Sequence, residues 1–136
     1  MAKDIRLAGI NFYKVAGERN PNFKDKISIN PSINISNIEE YKIPKSDACK
    51  VEFNFGVSYG GLGKIELSGA IILTMNSKDL KELLRSWKDK KMDSDTNVTI
   101  LNVIMQKASL KALQLEEDLG LPPHVSLPRL QLGSKK

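Results

Sequence analysis

The chain has 136 residues, of which 40% are hydrophobic and 27% charged, and a formal net charge of +5. That length fits a single domain spanning 1–136, and the apolar share excludes a disordered chain. The charge is spread out, with nine basic against six acidic groups in 1–50, seven against five in 51–92 and five against five in 93–136. A nucleic-acid binder gathers its cations into a stripe, and here only KDKK at 88–91 and the terminal Lys135 and Lys136 cluster, so nucleic acid is not the expected partner, and binding it through Lys88, Lys90 and Lys91 is the weakest alternative. A lone cysteine, Cys49, allows no internal disulfide, MAKDIRLAGI lacks the features of a signal peptide, and no apolar run approaches the roughly 18 residues that span a bilayer. The expected compartment is the cytoplasm.

Taken in chain order, IRLAGINFYKV alternates through Ile5 and Leu7, then through Ile10 and Phe12, with Gly9 as the expected bulge. ISINPSINI places Ile27, Ile29, Ile33 and Ile35 at alternate positions around Pro31, which suits an edge strand because proline donates nothing to a ladder. NIEEYKIPKSD then reads as a long polar crossover carrying Ile38, Tyr41 and Ile43. The strongest signal follows: in CKVEFNFGVSY the odd positions Cys49, Val51, Phe53, Phe55, Val57 and Tyr59 are apolar, while Lys50, Glu52, Asn54 and Ser58 fill even positions. After the glycine turn GGLG, KIELSGAIILTM repeats the odd-position pattern, so the two runs predict a hairpin.

Past Met75 the period lengthens. NSKDLKELLRSWKDKK predicts an amphipathic helix capped by Asn76 or Ser77, with Leu80, Leu83, Leu84 and Trp87 on one face. A second helix, with Ser94, Asp95 or Thr96 as cap, runs to Gly120 and stops before Pro122 and Pro123. Six of its eight residues from Val98 to Met105 are apolar, so that stretch needs cover on more than one side. A four-stranded sheet covers one, and a partner subunit over the other makes Val98, Ile100, Leu101, Ile104 and Met105 the candidate interface. The fold class is therefore α+β: a four-stranded antiparallel sheet with a long crossover and a hairpin, two helices on one face, and an extended C-terminal strap in which Val125, Leu127, Leu130 and Leu132 supply contacts.

Little of the chain suggests catalysis or a metal. Cys49 shares the apolar face of its strand, where a free thiol is buried and inert. His124, the one histidine, lacks the further ligands that zinc requires, and the consecutive Glu116, Glu117 and Asp118 point in different directions. GGLGK departs from a phosphate loop at Ser58 and Ile65 and leads into a strand. Asp93 and Asp95 are more simply helix-start residues. No catalytic residue, cofactor or metal site is expected. Apolar side chains in the crossover leave two openings for function: a groove for a client, or a small-molecule or acyl site between the sheet and the long helix.

ISINPSINI as second strand, KVEFNFGVSY and KIELSGAIIL as hairpin, and NVIMQKASLKALQLEEDLGLPPHVSLPRLQL as long helix, glycine-proline end and closing segment together resemble the SecB family of export chaperones. The resemblance implies an ATP-independent holdase, a homo-oligomer built as a dimer or tetramer, whose partners are unfolded or extended polypeptides. It places the client groove at Ile33, Ile35, Tyr41, Ile43 and Trp87. Family members that deliver clients to the SecA motor are acidic, whereas this chain is +5 and mixes Lys50, Glu52, Lys64 and Glu66 on one strand face, so delivery to SecA is not expected.

Overall fold

Apolar residues at every second position give each strand one face to bury, and in the computed structural model, which describes residues 5–125, four strands bury it under helices. They are β1 (Arg6–Arg19), β2 (Asn30–Ile43), β3 (Ser46–Ser58) and β4 (Gly63–Thr74), followed by α1 (Ser77–Lys88) and α2 (Ser94–Leu119). The order across the sheet is β1-β4-β3-β2, and each neighbouring pair is antiparallel. This is the α+β architecture expected, with the β3–β4 hairpin at its centre and both helices on one face. Val51, Phe53, Phe55 and Val57 of β3 and Ile65, Leu67, Ile71 and Leu73 of β4 are all buried.

The long crossover lies elsewhere than the sequence suggests. NIEEYKI is the second half of β2, joined to β3 by Pro44 and Lys45, with Lys45 at φ 63°. The connection that crosses the sheet is instead 20–29, which carries the chain from β1 at one edge to β2 at the other. Three strand spacings come to about 14 Å, well within the reach of ten residues. The cause is a bulge: Ile35 pairs with Phe53 and Asn37 with Glu52, leaving Ser36 as an extra residue. Beyond it the inward positions become even-numbered, Ile38 is buried, and Glu40 and Lys42 run past the helical cover into solvent. A period broken in this way looks like a loop. In β1 the register shifts between Leu7 and Gly9, at the expected bulge, and again between Phe12 and Lys14.

Both helices are capped by side chains. Asn76 Oδ1 accepts from the Asp79 amide at 2.8 Å, and Asp93 Oδ1 accepts from the Thr96 amide at 2.8 Å. Asp93 thus takes the cap expected one to three residues later. Helix α1 lies over β2 and β3, burying Leu80 and Leu83, while α2 crosses all four strands. Gly120, at φ 67°, ends α2 in the left-handed conformation that glycine adopts without steric cost. Of the expected strap, Val125 is described, and Leu127, Leu130 and Leu132 lie outside the described residues. Among the described residues no helix is long and apolar enough to cross a membrane.

Candidate functional site

Where α2 ends, four side chains from three parts of the chain meet. The core stripe of α2 recurs every four residues through Thr96, Ile100, Ile104, Ala108 and Ala112, and its next member is Glu116, a buried carboxylate. Tyr59, at the tip of the central hairpin, donates its hydroxyl hydrogen to Glu116 Oε2. Past Gly120 the chain folds back, so that the His124 amide donates to the same oxygen at 3.0 Å and Nδ1 lies 3.0 and 3.1 Å from the two carboxylate oxygens. Nε2 is 3.0 Å from Ser109 Oγ, and the ring sits edge-on to Phe55 at 5.6 Å. A carboxylate accepts only, so Nδ1 carries a proton toward Glu116, and in the neutral ring Nε2 accepts from the Ser109 hydroxyl. Burial, then the bond to Glu116, pushes the Tyr59 hydroxyl far up, so it stays a donor across the ordinary pH range.

The three acidic residues do point in different directions, as expected, but one of them pairs with His124, which the sequence left at the bend with no further ligand beside it. Glu117 and Asp118 are exposed, but Glu116 turns inward. The signal was present in the sequence as the spacing of four from Ile100 to Glu116, masked because a run of three acids reads as one solvated face. Serine, histidine and carboxylate here follow the order of an acyl-transfer relay. Ser109, however, sits inside α2, where neighbouring backbone N–H groups are bonded one turn back, so no free amides face an oxyanion beside its Oγ. The network instead satisfies a buried carboxylate and fixes the returning chain. Among the described residues no three His, Cys, Asp or Glu side chains group as metal ligands. Burial raises the Cys49 thiol to about 11, which leaves it a neutral core side chain at physiological pH.

A cleft of about 690 Å³ opens on the crossover side of Glu116. Phe23, Ile27, Leu62, Leu121 and Pro122 give it apolar walls, and Arg19, Lys24, Asp25 and Glu117 place charges of both signs around them. Crossover 20–29 supplies one wall, held by the Asn20 amide bonded to Leu62 O at 2.7 Å, and Phe23 lies against Gly61 of the hairpin tip. Ile27 and Ile29 are 48% and 37% exposed on this connection. The apolar crossover residues lie in 20–29 and not in NIEEYKI, where they were expected, so this cleft has no mark in the sequence pattern.

The five expected groove residues do not line one surface. Ile33 and Ile35 face the helices, half-buried against the core, as does Trp87. The bulge at Ser36 turns Tyr41 and Ile43 to the opposite sheet face, where Tyr41 is exposed. That face carries paired charges, Lys14 with Glu66 at 3.0 Å and Lys50 with Glu39 at 3.1 Å. The expected interface also divides. Ile100 and Ile104 have no exposure and belong to the protomer's own core, Leu101 and Met105 are half-buried, and Val98 is 53% exposed. Leu110, outside that set, is the most exposed of α2's apolar residues at 62%. Ile100, Ile104, Ala108 and Ala112, all without exposure, fill the space between sheet and α2 where a small-ligand site was the alternative expectation.

No protein-family model matches the chain, and no curated protein sequence is similar to it. Among solved structures, the SecB-like chaperone Rv1957 of Mycobacterium tuberculosis, determined in complex with a ChAD peptide from the Rv1956 HigA1 antitoxin, is similar with a TM-score of 0.47 at 9% identity, over 96% of this chain and 93% of that one. A likeness this distant says nothing about what the present chain binds.

Proposed function

We propose that the protein is a non-enzymatic, ATP-independent holdase that takes extended apolar polypeptide segments into the crossover cleft. The observation that carries this is the cleft itself, with apolar walls, a rim of both charge signs, the exposed Ile27 in its lining and the exposed Ile29 two residues further along the same connection. Each apolar side chain buried there contributes about 1.5–3 kcal/mol before ordering costs. Mixed rim charge favours no single client sequence, as suits a holdase. A second copy of the chain covers the outward side of α2, where Val98 and Leu110 stand exposed.

Light scattering of an aggregating client tests the reading. The wild type suppresses aggregation at stoichiometric amounts, and Ile27→Asp with Ile29→Asp loses suppression while circular dichroism stays unchanged; a wild type without effect would overturn it. Leu110→Asp lowers the solution mass measured by sedimentation, and an unchanged mass would move the interface elsewhere.

A further inference from the structure

We propose that the cavity between the end of α1 and the start of α2 binds an amphipathic organic anion, an acyl chain with a carboxylate head, whose chain lies against Trp87 and Met92 and whose head meets Lys88 and Lys90. The cavity holds about 540 Å³, within the range of small-ligand sites, roughly 300–1,000 Å³. Trp87 and Met92 wall it, both half-buried against the core, and Asn97 from the first turn of α2 adds a side-chain amide. Lys88 and Lys90 are exposed, and among the described residues the lining contains no carboxylate. Of the neighbouring acids, Asp93 turns its carboxylate oxygens to the Thr96 amide and hydroxyl at 2.8 and 3.0 Å, and Asp89 is exposed outside the lining. Apolar walls complement a hydrocarbon body, and two ammonium groups on the rim complement a negative head.

The backbone at Lys90 supplies an independent reason. Both helices end in the same turn: in α2 the Gly120 amide bonds Glu117 O and the Leu121 amide bonds Glu116 O, and in α1 the Lys90 amide bonds Trp87 O at 3.1 Å and the Lys91 amide bonds Ser86 O at 2.8 Å. This turn needs one left-handed residue, which is Gly120 at φ 67° in one helix and Lys90 at φ 59° in the other. Glycine takes that conformation without steric cost and lysine does not, so the turn by itself favours glycine at 90. Lysine there keeps an ammonium group on the cavity rim that glycine would remove, and backbone strain of this kind clusters at ligand sites. The inference does not depend on the holdase reading, whose cleft lies at the other end of α2 and is walled by the crossover.

Trp87 is the only tryptophan of the chain, and bromine quenches an indole on contact, so a terminally brominated dodecanoate reports on this cavity and not on the crossover cleft. Below its micelle concentration and in its ionised form, it quenches Trp87 emission saturably in the full chain. The brominated dodecanol, without the charge, binds about tenfold more weakly, and the brominated dodecyl trimethylammonium more weakly still. Lys88→Gln combined with Lys90→Gly also weakens dodecanoate binding about tenfold, with far-ultraviolet circular dichroism unchanged, and added salt weakens binding to the wild type more than to this variant. Lys90→Gly alone raises Tm by a few degrees while weakening binding about threefold, a combination that a lysine with a purely structural role does not give. Trp87 emission unchanged by the brominated dodecanoate, or equal affinities for the carboxylate, the alcohol and the ammonium, would overturn the proposal.

Discussion

The two halves of α2 are held to the same sheet by different means. Its N-terminal half, capped by Asp93, is anchored by Ile100 and Ile104, large apolar side chains without exposure. Its C-terminal half presents Ala108 and Ala112, small enough to bring the helix close to the sheet, and then Glu116, whose carboxylate gathers Tyr59 and His124. Apolar burial is non-directional and fixes only that the helix lies on the sheet. Directional bonds to a buried carboxylate fix where the hairpin tip and the returning chain must sit.

Substitutions sharpen the contrast, the largest effect coming from the apolar half. Ile104→Asp leaves an unpaired carboxylate in the core at a cost of several kcal/mol, comparable to a whole domain's stability, so circular dichroism should show an unfolded chain. A folded but smaller assembly would instead mean that this half of α2 is covered by a second subunit. Glu116→Ala removes the shared acceptor of Tyr59 and His124 and should cost about 3 kcal/mol in urea unfolding; Tyr59→Phe removes one donor and should cost about 1 kcal/mol. Equal costs for the two would show that the bonds do not act through Glu116.

Cys49 gives a pH signature of apolar burial. In the unfolded chain the thiol ionises near 9.0, whereas in the fold it holds its proton to about 11, so the unfolded state loses protons first. Stability should therefore fall between those values by about 1.4 kcal/mol per pH unit, and Cys49→Ala should flatten that part of the profile. The smallest effect expected is at the cap: Asp93→Ala should cost about 1 kcal/mol, read as a modest drop in Tm that leaves Trp87 emission in place.

Much of the fold was legible because local periodicity and local burial agreed. The β3–β4 hairpin is covered throughout its inner face, so its alternation survives unbroken from Cys49 to Tyr59, and Gly120 with Pro122 and Pro123 marked the helix end by backbone geometry alone. The candidate site was less legible. A single bulge at Ser36 reversed the parity of β2, hid half a strand as a loop and displaced the crossover from 20–29, taking the cleft with it. Tyr41 and Ile43 were assigned beside Ile33 and Ile35 for the same reason.

The sequence by itself determined which residues are apolar at strand or helix spacing, that Asn76 opens the first helix and Gly120 closes the second, and that Cys49 is an inert core thiol, because each of these depends on neighbours within a turn or a pleat. Only the tertiary structure decided that Ile100 and Ile104 belong to the protomer's own core, that Glu116 faces inward while Glu117 and Asp118 do not, and that the one histidine has two partners. Those outcomes depend on contacts such as Tyr59 with Glu116, 57 positions apart, which exist only once the strands have paired and the long helix has found its line across them.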